Sequence, residues 1–288
     1  MSRRLRAALT PYALIFPGGI WLAIFFVVPM VVMLSLSLQS GSVEEGYAFA
    51  WNWHSYADGL SNYHDQIIRS VIYGLASTVI QIIIGFPVAY WIAFKGGKHK
   101  SLYLFLLLLP FLVSFVLRTI SWQFMLSDNG ILLGPLKSLG LLPEGFRVLA
   151  TPYAVIGGLA YNFLPFMVLP MYVALERIDP RVLEAAQDLY ASRFQTFLRV
   201  VLPLSLPGVF AGVLMTFVPA TSDYVNASVL GGTNTTMIGN VIQNQYLVTQ
   251  DYPTASALSF TLMALLLVGI FAYAKALGTE DVLEVAAR

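Results

Sequence analysis

Asp179-Pro180-Arg181-Val182-Leu183-Glu184-Ala185-Ala186-Gln187-Asp188-Leu189-Tyr190 reads as a short charged helix between two longer runs, 148–175 and 200–222, that hold no Asp, Glu, Lys or Arg. Crossing the hydrocarbon core takes roughly 20 apolar helical residues, so each flanking run is long enough to span a bilayer. Working outward, 12–38, 70–94 and 252–274 are equally free of charge, and 101–127 carries only Arg118. The chain has 288 residues, of which 58% are hydrophobic and 11% charged; a soluble domain carries about 25% charged residues. A lipid-exposed backbone must satisfy its own hydrogen bonds. The reading is therefore an all-α integral membrane protein with six transmembrane helices near 12–38, 68–94, 102–126, 152–175, 201–222 and 253–276, in one domain over 1–288.

Lys and Arg concentrate on the cytoplasmic side of membrane proteins. Arg3, Arg4 and Arg6 precede the first span. Lys95, Lys98 and Lys100 follow the second, Arg177, Arg181, Arg193 and Arg199 follow the fourth, and Lys275 and Arg288 follow the sixth. The alternate loops hold only Arg69, Lys137 and Arg147. Both termini are expected in the cytoplasm, and the loop 179–199 with them. The first apolar run is much longer than a signal-peptide core of about 7–15 residues, so it is read as a retained helix.

Several chemistries are not expected. There are no cysteines and the net charge is +1, which leaves no disulfide, no thiolate metal site and no global pull toward nucleic acid. A phosphate-binding GxxxxGK[ST] loop is missing, since Gly97-Lys98 is followed by His99. The chain is therefore expected to hydrolyse no nucleotide and to act as a non-catalytic subunit.

In the opening stretch Asp179 suits an N-cap and Pro180 the first helical position. Val182, Ala185, Ala186 and Leu189 fall on one face at helical spacing. Such a helix can enter a partner's groove or lie on the bilayer. Prolines at 17, 29, 87, 110, 165, 170, 207 and 219 interrupt the spans, and each tends to kink its helix. After the fifth span, 224–250 is uncharged and rich in amides. Gly231-Gly232 marks a turn there, with Asn234 or Thr235 able to cap a short helix through Met237, Ile238, Val241 and Ile242.

Glu184-Ala185-Ala186, then position 190, then Val200-Val201-Leu202-Pro203 resembles the signature of permease subunits of bacterial ABC importers. The resemblance extends to the spermidine/putrescine type through Gly85-Phe86-Pro87-Val88-Ala89-Tyr90, Pro110-Phe111, Arg118-Thr119, Trp122, Asp128-Asn129-Gly130, and Pro219 through Asp223-Tyr224 and Gly231-Gly232. Opine, iron and phosphonate importers have similar permeases. The family has Gly where Tyr190 stands, so either the turn is rebuilt or Tyr190 itself fills the groove of the ATPase.

The resemblance implies a type I importer permease of MetI-like fold in the bacterial cytoplasmic membrane. Its partners would be a second and distinct permease, two ATPase subunits that bind ATP and Mg, and an extracytoplasmic substrate-binding protein. This chain would hold no cofactor and no metal, and the bilayer would surround it. Asp179, Val182, Glu184, Ala185, Ala186, Leu189, Tyr190 and Pro203 would then couple the ATPase to the pathway. Arg118, Trp122, Tyr161, Asn162, Asp223 and Tyr224 are pathway or gate candidates. Arg118 either anchors at the interface beside Trp122 or faces the bundle and pairs with Asp223 or Asp128. Other readings are a different small solute on the same architecture, or a stand-alone secondary transporter. The latter usually shows internal repeats and several buried ionisable residues.

Overall fold

The structure is a computed structural model that describes residues 15–276. The expectations placed on Arg3, Arg4, Arg6, Arg288 and the first residues of the span near 12–38 lie outside the described residues. The described residues are helical apart from one hairpin and the connecting loops. In order it forms α1 (Ile15–Ser37), β1 (Gln39–Ser42), β2 (Gly46–Phe49), α2 (His54–Asn62), α3 (His64–Lys95), α4 (Lys100–Leu108), α5 (Phe115–Leu126), α6 (Leu133–Ser138), α7 (Pro152–Glu176), α8 (Pro180–Asp188), α9 (Arg193–Ser222), α10 (Val225–Leu230), α11 (Ile238–Leu247) and α12 (Tyr252–Ala276). Helices α1, α3, α7, α9 and α12 are each long and apolar enough to cross a membrane.

The third expected span is broken. The expected single helix 102–126 is two pieces, 97–112 and 115–126, bent by 87°. Pro110 lacks the N–H that would continue the ladder, so the chain tightens into a 3₁₀ turn over Leu109–Leu112. Val113 and Ser114 are then extended, with ψ of 141° and 137°. The prolines inside α3, α7 and α9 leave those helices continuous. Two of the remaining prolines are accommodated by π-helical turns just upstream, Ala23–Val27 before Pro29 and Phe197–Val201 before Pro203. A proline ring clashes with the carbonyl four residues back; widening that turn moves the carbonyl aside.

Two compact units emerge, one of residues up to 62 with 242–264, the other of 63–241 with residues from 265 onward. In the first unit α1 buries none of its apolar window. The hairpin pairs Gln39 with Phe49 and Ser42 with Gly46. Ser37 is buried and shares a 2.7 Å hydrogen bond with Tyr56. Tyr47 donates to the Gln250 carbonyl and packs edge-on against Tyr252.

The second unit is built on α3, α7 and α9. Phe86, Ala89, Met167, Val168, Met171, Leu175 and Val201 form one buried cluster. Tyr73, Val155, Leu159, Phe163, Ala220 and Met237 form another. Gly208 and Gly212, one turn apart on α9, let that helix lie directly on α7. A Cβ on Gly208 would come 2.6 Å from the Pro170 carbonyl, and one on Gly212 would come 3.1 Å from that of Met167. Lipid tails are as apolar as Leu, so close packing of this kind holds membrane helices together. Lys100 bridges to Glu176 at 2.9 Å, which brings the 95–100 loop and the start of the 176–199 loop to the same end of the unit.

Candidate functional site

Two features stand out in the second unit: an exposed helical elbow at the end marked by Lys100 and Glu176, and a polar cluster buried between helices.

The elbow is α8, a turn, and the start of α9. The Asp179 carboxylate accepts from the Arg181 N–H at 2.9 Å with Pro180 in the first turn, as the residue types dictate. Helix α8 ends in a Schellman motif. The Tyr190 N–H donates to the Gln187 carbonyl at 2.9 Å, and the Ala191 N–H to the Ala186 carbonyl at 3.1 Å. Tyr190 sits at φ 59°, the left-handed conformation that the motif demands. The turn is therefore kept with a tyrosine in the glycine position, at a cost of roughly 1 kcal/mol or more. Two residues later Ser192 and Gln195 form a capping box that restarts the helix.

The stripe expected on α8 divides. Leu183 and Ala186 turn inward, and Leu183 packs on the cluster around Phe86 and Met171. Val182, Ala185 and Leu189 face outward. With Tyr190 at 97% exposure and Phe194 at 69%, they make an apolar patch beside Glu184. Pro203 is also exposed and lies in the turn that follows the π segment. A helix only two turns long does not fix its own rotation, because the stripes through 182 and 183 overlap.

The buried cluster joins α5, α7 and α10. The Asn162 Nδ2 donates to Thr119 Oγ1 and to Asn226 Oδ1, both at 3.0 Å. Thr119 Oγ1 donates to the Phe115 carbonyl at 3.0 Å. All three side chains are fully buried, and the Asn162 Oδ1 has no hydrogen-bond partner. Asp223 Oδ1 accepts from the Asn226 N–H at 2.7 Å, so this carboxylate starts α10 and ties it to the cluster. Burial pushes the Asp223 carboxyl up to about 6, although the amides of Asn226 and Val225 pull it down. A fourth helix carries a related group: Gln81 of α3 is buried and donates to the Leu159 carbonyl at 3.3 Å, its Oε1 unpartnered.

Among the pathway candidates, Asn162 and Asp223 come together through Asn226. Tyr224 is partly exposed beside them, its carbonyl accepting from Asn240 Nδ2 at 2.8 Å. Trp122 stacks edge-on against Tyr161 at 5.2 Å. Arg118 is buried and pairs with neither Asp223 nor Asp128. Its guanidinium lies 4.3 Å from the Phe111 ring centroid and 5.8 Å from that of Phe115. The expected carboxylates are engaged elsewhere. Asp128 bridges Lys137 at 3.0 Å and Arg147 at 3.1 Å, and the Lys137 hydrogen bond holds its carboxyl below the usual range.

Sequence reasoning missed Thr119, Asn226 and Gln81. Gln81 had the same signal as Asn162, a lone amide in a charge-free run. Asn226 is one of many amides in 224–250, and nothing in the residue pattern there marks α10. The cap of α11 also differs from expectation: the Ile238 N–H is met by Ser70 Oγ at 2.8 Å and the Met237 N–H by Asn240, whereas Thr235 closes the preceding turn on Gly232.

Residues 68–276 match the family described as binding-protein-dependent transport system inner membrane component. The chain belongs to this permease family. It is a multi-pass protein of the inner membrane with the importer-permease fold and a transport role. The spermidine/putrescine transport system permease protein PotB of Haemophilus influenzae is 37% identical over 89% of this chain and 90% of its own length. The protein of the same name from Escherichia coli is 34% identical over 89% and 94%. The inner membrane ABC transporter permease protein YdcU of Escherichia coli is 34% identical over 76% and 74%. Among solved structures, a chain of a bacterial ABC transporter involved in import of the acidic polysaccharide alginate aligns with a TM-score of 0.69, covering 96% of this permease and 98% of that chain at 20% identity. A chain of the MetNI methionine ABC transporter aligns with a TM-score of 0.57 at 16% identity, over 74% and 94%. At such identities these structures bear on the fold alone.

Proposed function

We propose that this permease forms part of the translocation pathway of an ATP-driven importer for polyamines, spermidine or putrescine, handed over by an extracytoplasmic binding protein. The observation that carries the cargo is identity of 34–37% over nearly the full length of permeases named for spermidine and putrescine. In this reading a second, distinct permease completes the pathway. Two ATPase subunits supply the work, and ATP and Mg bind there, leaving this chain without cofactor or metal.

The elbow supports the second half of the proposal. Val182, Ala185, Leu189, Tyr190 and Phe194 expose apolar surface on a rigid, doubly capped turn, which suits a partner's groove. Leu183 and Phe197 pack on the cluster between α3 and α7, so a push on α8 reaches the transmembrane helices directly. Glu184 stands beside the patch and would orient the contact. The Asp223–Asn226–Asn162–Thr119 chain would hold α10 against the bundle, with Asp223 and Tyr224 meeting cationic cargo at the outer end. Uptake of labelled spermidine and putrescine is the test, in cells stripped of their own polyamine importers and given this permease with its partner subunits. ATP-dependent uptake is expected. Uptake only of an opine, iron or a phosphonate would overturn the cargo assignment.

A further inference from the structure

Arg118 is 7% exposed, and its Nε has no hydrogen-bond partner. The ion pairs among the described residues are His64–Asp65, Lys100–Glu176, Lys137–Asp128 and Arg147–Asp128, so none engages Arg118. A buried guanidinium without a counter-ion is costly. What compensates it here is ring faces: Phe111 at 4.3 Å and Phe115 at 5.8 Å. Those rings are themselves fixed. Phe111 meets Phe166 edge-on at 4.9 Å, Phe115 packs on Phe163 at 5.8 Å, and Phe163 lies 6.4 Å from Phe166.

This group of rings lies at the break in the span, since Phe111 is in the last turn of one piece and Phe115 begins the next. Non-helical backbone at membrane depth is tolerated where it is buried in protein or lines a cavity, and discontinuous helices form the substrate sites of several transporter folds. A rigid aromatic group that already holds one organic cation will hold another of similar size and charge. Arg118 is a poorly compensated occupant, because its buried Nε–H has no conventional acceptor.

We propose that Phe111 and Phe115, braced by Phe166 and Phe163, form a seat for an alkylammonium group of the cargo, and that Arg118 fills this seat as a tethered stand-in when cargo is absent. The inference rests on the cationic-cargo reading and extends it, making the arginine a competitor for the seat. Entry of an ammonium group displaces the guanidinium, and departure of the cargo restores it. No bond is made or broken; one cation exchanges for another over the same rings.

The test uses the assembled importer in detergent with the binding protein omitted, and labelled putrescine as the probe. Arg118→Met removes the tethered cation while keeping the side chain's bulk. It should raise putrescine affinity about tenfold over the unaltered importer, within the range of a desolvated cation–ring contact. Arg118→Lys should stay close to the unaltered importer. Adding Phe111→Leu to Arg118→Met should abolish the gain. A methionine variant that binds no tighter, or a gain that survives loss of the Phe111 ring, overturns the seat. Should Arg118→Met fail to assemble, Phe111→Leu alone decides: it should weaken putrescine binding about tenfold, and unchanged binding rejects the proposal. Binding-protein-dependent spermidine uptake by the unaltered importer is measured in parallel. Its absence sinks the cargo reading; its presence with no gain in Arg118→Met sinks only the seat.

Discussion

Replacing Tyr190 by Gly separates two effects that the structure superimposes at one residue. Tyr190 holds φ 59° in the Schellman turn and exposes 97% of its surface. Glycine relieves the left-handed strain, worth roughly 1 kcal/mol, although its greater freedom in the open chain takes part of that back. The loop should therefore become slightly more resistant to protease. If the ring is an anchor in the ATPase groove, its removal costs about 2 kcal/mol, the scale of an aromatic hot spot, or roughly a 30-fold weaker complex. Tyr190→Ala loses the same ring but relieves no strain, because alanine has a Cβ. Both variants should weaken docking alike, and only Gly should stabilise the loop. The assay is titration of the purified ATPase against the permease, with limited proteolysis of the loop. A Tyr190→Gly permease that binds the ATPase as tightly as the unaltered one would refute the anchor and leave Tyr190 as a strained glycine substitute.

Further expectations follow from the same geometry. Glu184→Lys should abolish uptake without affecting membrane insertion; a variant that transports normally would remove Glu184 from the contact. Asn162→Leu should take the amide donor from the buried Asn226 Oδ1, at roughly 1–3 kcal/mol for a buried group that loses its partner, seen as a clear fall in thermal stability; an unchanged midpoint would mean the cluster ties nothing together. Asp223 titrates near 6 because burial disfavours its charge. Uptake of a cation should therefore rise through that pH, and Asp223→Asn should flatten the profile; identical profiles would exclude this carboxylate from the pathway. The raised pKa also has a stability sign. Both states are protonated below about pH 3, and the fold loses stability as pH rises from there through about 6, so Asp223→Asn should unfold less readily than the unaltered chain at neutral pH.

The spans were legible because some 20 uninterrupted apolar residues leave a helix few alternatives. The α8 cap was legible because Asp179-Pro180 combines two local preferences with the same outcome. The break after Leu112 was legible only as one of eight proline positions, since Phe111-Leu112-Val113 is as apolar as its surroundings and hydropathy does not register backbone direction. Arg118 drew attention as a lone charge, but its partners did not follow from sequence. Charge pairing pointed to Asp223 and Asp128, whereas helix geometry brought Phe111 and Phe115 to it. Thr119 was invisible for another reason: threonines commonly satisfy themselves on the carbonyl four residues back, as Thr119 does on Phe115, so nothing marks the one that also receives Asn162.

The elbow should face the cytoplasm and lie under an ATPase subunit. The native chain has no cysteine, so a single Ala185→Cys can be probed without background. A membrane-impermeant thiol reagent should label it in inside-out vesicles stripped of ATPase and not in right-side-out cells, and adding the ATPase back should block the reaction. Labelling from outside the cell, or labelling indifferent to the ATPase, would contradict the account.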